Sequence, residues 1–170
     1  MVIETQIGEG FAGSGPNAAH INSVLGSKGG SIETAWATAL ATPRQGHIPF
    51  VVVLRPNIPV KPMTLFVNKA DLRGERHETL TWGAAQAGVA AGVAQAVAEG
   101  AIPAAEADHL LLIAAVWVNW VAEDANQVYE NNLKAMRDAL TNGALALPSV
   151  EDILKFAHQP YNPYFTPQGG

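Results

Sequence analysis

Five histidines, at positions 20, 47, 77, 109 and 158, are the side chains best placed to move protons at neutral pH. None has a second histidine at i, i+4 or another short metal-ligand spacing, so a metal site would need ligands from distant segments, and none is expected. The absence of cysteine removes disulfides, thiolate zinc sites, iron–sulfur ligation and cysteine nucleophiles. There is no P-loop or GxSxG elbow. His20 stands out among the five. In NAAHINSVLGSKGG (17–30) it shares one face of an alternating strand with Asn22 and Val24, while Ile21, Ser23 and Leu25 take the other. A lone histidine there is either a satisfied structural residue or an acid–base group. The GSKGG loop that follows is either a plain turn or an anion cradle.

Two other polar residues interrupt apolar patterns. Gln86 lies four residues after Trp82 and three before Val89, on the expected buried stripe of a helix. A buried amide left without a partner costs on the order of 1–3 kcal/mol, so Gln86 needs a hydrogen bond or a ligand. Lys69 closes the strand TLFVNK (64–69) on the same side as Val67 and Asp71, and an ammonium out of water needs an anion or a polar ligand. The structural alternatives are a helix-to-helix hydrogen bond for Gln86 and an ordinary strand-end lysine for Lys69.

The elements that must position these residues follow from periodicity. Alternation predicts strands over 2–12 and 18–25, joined by the turn GSGPN. Ser31 is the expected cap of a helix carrying Ala35, Trp36, Ala39 and Leu40, stopped by Pro43. FVVVL (50–54) is β-prone, and RPNIPVKP (55–62) is a rigid connector. One long Ala-rich helix is expected from Glu78 to Glu99, with Trp82, Val89, Val93 and Val97 on one face and Gly100 and Pro103 as stops. HLLLIAAVWV (109–118) reads as a central strand buried on both faces. Residues 124–141 form the last long helix, striped by Ala125, Val128, Leu133, Met136 and Leu140. Ser149 with Asp152 caps a short helix, and the Pro/Tyr-rich tail after it is expected to lie extended over the domain or a neighbouring subunit. The element order predicts an α+β fold, a single-domain two-layer sandwich with one mixed or antiparallel sheet covered by helices. Its expected bounds are 1–146, with 147–170 as a C-terminal extension.

Composition narrows the partners. Hydrophobic residues make up 48% of the 170 and charged ones only 15%, a poverty of charge that suits a surface hidden in an oligomer. The net charge of −5, with no Lys/Arg cluster, argues against nucleic acid. The N-terminus has no apolar stretch of signal-peptide length, and Leu110 to Val118 is too short to span a bilayer, so a cytoplasmic protein without a membrane partner is expected.

Three blocks, HINSVLGSKGGSIETAWATAL, RPNIPVKPMTLFVNKA and WGAAQAGVAAGVAQAVAEGAIP, closely resemble corresponding blocks of the formaldehyde-activating enzyme family, in the same order between about Ile7 and Asn142. The resemblance implies a homopentamer with sites between subunits, on an α+β sandwich of the kind known from a small-subunit ribosomal protein. It implies a metal-free lyase of one-carbon metabolism that condenses formaldehyde with tetrahydromethanopterin, a co-substrate, giving methylene-tetrahydromethanopterin and water. By residue, it carries the acid onto His20, and pterin contacts onto Lys69 and Gln86. Three further contact positions depart from the family pattern: Asn22 replaces an aspartate, Val51 a leucine and Asp71 a threonine. An amide beside His20 carries no charge, so the imidazolium loses a stabilising partner there, which Asp71 is a candidate to replace. The departures suggest slower condensation or an altered pterin preference. The alternative is a non-catalytic carrier or sensor that binds a pterin, a folate or a formaldehyde adduct on the same scaffold.

Overall fold

The computed structural model describes residues 3–167, so Val2 of the first predicted strand and the end of the tail lie outside the described residues. In chain order the elements are β1 (Gln6–Ala12), β2 (Ala19–Ser27), α1 (Ser31–Ala41), β3 (Phe50–Val51), β4 (Val53–Arg55), β5 (Ile58–Pro59) and β6 (Met63–Asn68). Next come α2 (Gly74–Thr79), a π-helical turn over Leu80–Ala85, α3 (Gln86–Ala98), β7 (Leu110–Trp117), α4 (Ala125–Ala144) and α5 (Val150–Lys155). Five strands form a mixed sheet in the order β1-β2-β7-β6-β3, all neighbours antiparallel except β6 and β7. β4 and β5 make a separate hairpin. The α+β sandwich expected from the sequence is therefore the one formed.

Helices α3 and α4 cover one sheet face. The core lies between them, built from Ile21, Leu25, Phe66, Leu112, Val116, Val89, Val93 and Met136. Close approach is made possible by glycine. A Cβ on Gly8 would overlap the Ala139 carbonyl oxygen, and one on Gly10 the Ala135 carbonyl oxygen, so α4 lies directly on the β1 backbone. Gly88 and Gly92 do the same for α3 against α4.

The second sheet face is covered only in part. α1 turns Ile32 and Trp36 inward and packs near Gly26, with Gly30 as its N-cap and Ser31 already inside the helix. Beyond α1, the tail turn around Tyr164 stands over Trp117 and the rest of the face is open. This corrects the expectation of a β7 buried on both sides: Leu110–Leu112 are buried, but Ile113, Ala115 and Trp117 alternate as half-buried residues.

The single helix expected over 78–99 begins earlier and is interrupted. A π-helical turn spends extra residues on one revolution and rotates the helix before it relative to the helix after it. Trp82, which a uniform 3.6-residue period places beside Val89 and Val93, is thereby turned outward and is 45% exposed. α4 also differs in phase from its expected stripe. Val128, Met136 and Leu140 are buried with Asn132, Ala135, Ala139 and Gly143, while Ala125 is exposed and Leu133 only half-buried. The Ser149–Asp152 capping box forms as expected.

Candidate active site

β2 carries His20 and Asn22 on the open face, as its alternation requires, with Ile21 and Ser23 turned into the core. Its antiparallel partners fix what surrounds them. β1 places Phe11 opposite His20 and Glu9 opposite Asn22, so Glu9 is the diagonal neighbour of His20. β7 places Trp117 opposite His20 on the other side. Lys69 follows β6 and donates its backbone N–H to the Val116 carbonyl, which brings its side chain across β7 toward β2.

The result is a line of charge and hydrogen bonding. Glu9 Oε1 lies 3.0 Å from His20 Nε2. Lys69 Nζ lies 3.3 Å from His20 Nδ1 and donates to Asn22 Oδ1 at 2.7 Å. A charged Lys69 has only donors, so Nδ1 accepts and Nε2 carries the proton that faces the Glu9 carboxylate. Partial burial, and next the Lys69 ammonium, lower the His20 pKa from its ordinary 6.5, while Glu9 pulls it upward. Partial burial likewise lowers Lys69, again opposed by Glu9.

Glu9, His20 and Lys69 of this line form the floor of a cavity of about 910 Å3, a size that suits a heterocyclic ligand. Its walls are aromatic: Phe11 and Trp117 from the sheet, and Tyr161 and Tyr164 from the tail. Phe11 and His20 rings are 6.2 Å apart, and Tyr164 meets Trp117 edge-on at 6.0 Å.

The other residues singled out from the sequence lie elsewhere. Gln86 and Val51 line a second depression of about 360 Å3 with Trp82, Phe50, Ile48 and Val53. Gln86 begins α3 and is half-buried rather than part of the core stripe, and its Oε1 accepts the Val53 backbone N–H at 2.6 Å. That bond ties the hairpin to the helix and leaves the amide nitrogen for another partner. Asp71 is paired with His47, Oδ1 to Nε2 at 2.8 Å, while His47 Nδ1 lies 3.0 Å from the Asn68 carbonyl oxygen. Within the chain the carboxylate against His20 is Glu9, not Asp71. Glu9 is hidden at the level of sequence because its nearness to His20 depends on the register of β1 against β2. An acid flanked by glycines in mid-strand is the one trace it leaves there. Among the described residues no group of three or more His, Cys, Asp or Glu is placed to hold a metal ion, and no helix is long and apolar enough to cross a membrane.

Residues 7–165 match the family model described as formaldehyde-activating enzyme. The chain belongs to the formaldehyde-activating enzyme family. It is 42% identical over 153 residues to the 5,6,7,8-tetrahydromethanopterin hydro-lyase of Methanosarcina barkeri, covering 90% of this chain and 86% of that protein. It is also similar to bifunctional Fae/Hps enzymes, at 38% identity in Methanococcoides burtonii and 34% in Archaeoglobus fulgidus. Of those longer proteins it spans only 37% and 41% respectively, against 87% and 95% of its own length. The formaldehyde-activating enzyme match runs past Asn142, taking in α5 and most of the tail.

Proposed function

We propose that this formaldehyde-activating enzyme family member condenses formaldehyde with tetrahydromethanopterin, with His20 as the acid and Lys69 and Asn22 as pterin-binding groups beside it. The observation that carries the reading is the line Glu9–His20–Lys69 at the floor of an aromatic cavity, with Lys69 also donating to Asn22. A pterin N–H adds across the formaldehyde carbonyl, giving N–CH2–OH with the proton on oxygen. Hydroxide is a poor leaving group, so the His20 imidazolium gives it a proton as the C–O bond breaks and water departs. The iminium carbon is captured by the second pterin nitrogen, held close by the site, and the proton lost there returns to the imidazole. Glu9 holds Nε2–H, so Nδ1 is the nitrogen that faces the reacting atoms. Drawing Lys69 Nζ onto the pterin takes a cation away from Nδ1 and makes the imidazolium easier to form.

Val51, Gln86 and Asp71 complete the pterin site in this reading, supplied to the His20 cavity by a neighbouring copy. Two features support that. Gln86 and Val51 lie in their own depression, which shares no residue with the cavity over His20. Both regions also carry exposed apolar side chains, Ile7 at 71% on the face that bears His20 and Trp82 at 45% beside Gln86. A ring of five such copies in the cytoplasm, each interface holding one site, is the assembly proposed. The test mixes purified protein with formaldehyde and tetrahydromethanopterin and compares methylene formation with the spontaneous rate. Acceleration that disappears in His20→Ala supports the enzyme. Pterin binding without acceleration would replace it with a carrier.

A further inference from the structure

The Pro/Tyr-rich tail is unusual chemistry for a chain end. Tyr161 and Tyr164 are 76% and 72% exposed, although each carries a ring that water solvates poorly. They are not scattered. A turn closed by reciprocal backbone bonds between Asn162 and Phe165 holds them together, and Asn162 Oδ1 accepts the Tyr164 backbone N–H at 2.9 Å. Proline at 163 stiffens that turn. Tyr164 then stands edge-on to Trp117 at 6.0 Å with an interplanar angle of 86°, which places the turn at the mouth of the cavity over His20 and Lys69.

We infer that the tail is part of the substrate site: Tyr161 and Tyr164, with Trp117, form an aromatic clamp for the flat heterocycle of the reduced pterin. The inference rests on the proposed function and deepens it, because it assigns pterin contacts to a segment outside the sheet. A floor of charged and amide groups can orient the polar edge of a bicyclic ring but offers its faces nothing. Aromatic walls supply the faces, and stacking on such rings costs about tenfold or more in affinity when one ring is removed. The turn pre-sets the two tyrosines, so little ordering has to accompany binding. Because the tail sits outside the acid–amine line, its contribution belongs to binding and not to proton transfer.

The experiment measures the dissociation constant of tetrahydromethanopterin for the full chain by equilibrium dialysis, alongside methylene formation at saturating pterin. The double variant Tyr161→Ala with Tyr164→Ala is expected to bind at least about tenfold more weakly, with the saturated rate within about twofold of the parent. Tyr161→Phe with Tyr164→Phe keeps the rings and is expected to bind like the parent. Unchanged affinity in the alanine variant overturns the clamp, and tighter binding overturns it by showing that the tail obstructs the cavity. The arms separate this from the proposed function. If the parent binds and accelerates while both variants match it, only the clamp falls. If the parent binds in a ring-dependent way without acceleration, the clamp stands and catalysis falls. A parent that does not bind the pterin removes both.

Discussion

The imidazole of His20 is held between opposite charges, a carboxylate on Nε2 and an ammonium on Nδ1. Partial burial and Lys69 together outweigh Glu9, so the pKa of the ring lies below its ordinary 6.5. The sign of each partner's effect is then testable. Catalysis by the imidazolium should hold steady at low pH and fall as pH rises through a pKa below the ordinary 6.5. Glu9→Gln removes the group that favours the charged ring, so the fall should begin at lower pH. Lys69→Met removes a group that disfavours it, so the fall should move to higher pH, with weaker pterin binding besides. Titration of the His20 ring protons by NMR, with kcat/KM profiles corrected for the spontaneous reaction, reads both shifts. If neither variant moves the His20 pKa, the assigned line does not tune this acid. His20→Ala itself should lower the rate by about a hundredfold, the smaller end of general acid catalysis, because the reaction also proceeds unaided.

At the scale of elements, the hairpin of β1 and β2 supplies His20 and Glu9 together, and α4 fixes the hairpin by lying on its glycines. Gly10→Val would drive a branched side chain into the Ala135 carbonyl oxygen within the helix backbone, where no rotamer change gives relief. Destabilisation of about 3 kcal/mol is expected, read as a lower urea midpoint at unchanged slope. A wild-type midpoint in that variant would mean α4 is not held by this contact. The same elements show what a sequence can disclose. Alternation placed His20 and Asn22 together, and the apolar break marked Lys69, because period-2 patterns record which face a residue takes. Glu9 needed register, a property of two strands and not of one. Trp82 lies off its expected face because a π-helical turn shifts phase without leaving a periodic trace, and it is apolar enough to pass for core, whereas Gln86, in the first turn of α3, is half-buried and bonds the hairpin at Val53. The aromatic tail was legible only as something that could be neither helix nor inner strand. Its position over His20 depends on the turn at Asn162 to Phe165 and on Trp117, far away in sequence.

At the scale of the whole molecule, the residues of the proposed site fall in two separate depressions. One is lined by His20, Lys69 and the aromatic walls, and the other by Gln86, Val51 and Trp82. On the proposed function, the two depressions are brought together by placing one copy against the next. Head-to-tail contacts close into a ring when the rotation between copies closes, and in the proposed assembly each interface joins the His20 side of one copy to the Gln86 side of its neighbour. The arrangement predicts complementation. His20→Ala and Gln86→Ala homo-oligomers should each be impaired, one in proton transfer and the other in pterin affinity. When the two are unfolded together and refolded as a mixture, random assembly puts both intact halves at roughly a quarter of the interfaces. Activity at low pterin concentration should therefore rise well above the average of the two parents, and the gain should vanish when the same oligomers are mixed without subunit exchange. Sites complete within one chain give no such gain, because every subunit would carry one damaged group. Sedimentation of the mixture as a single species of the parental size shows that exchange, and not aggregation, produced the recovered activity.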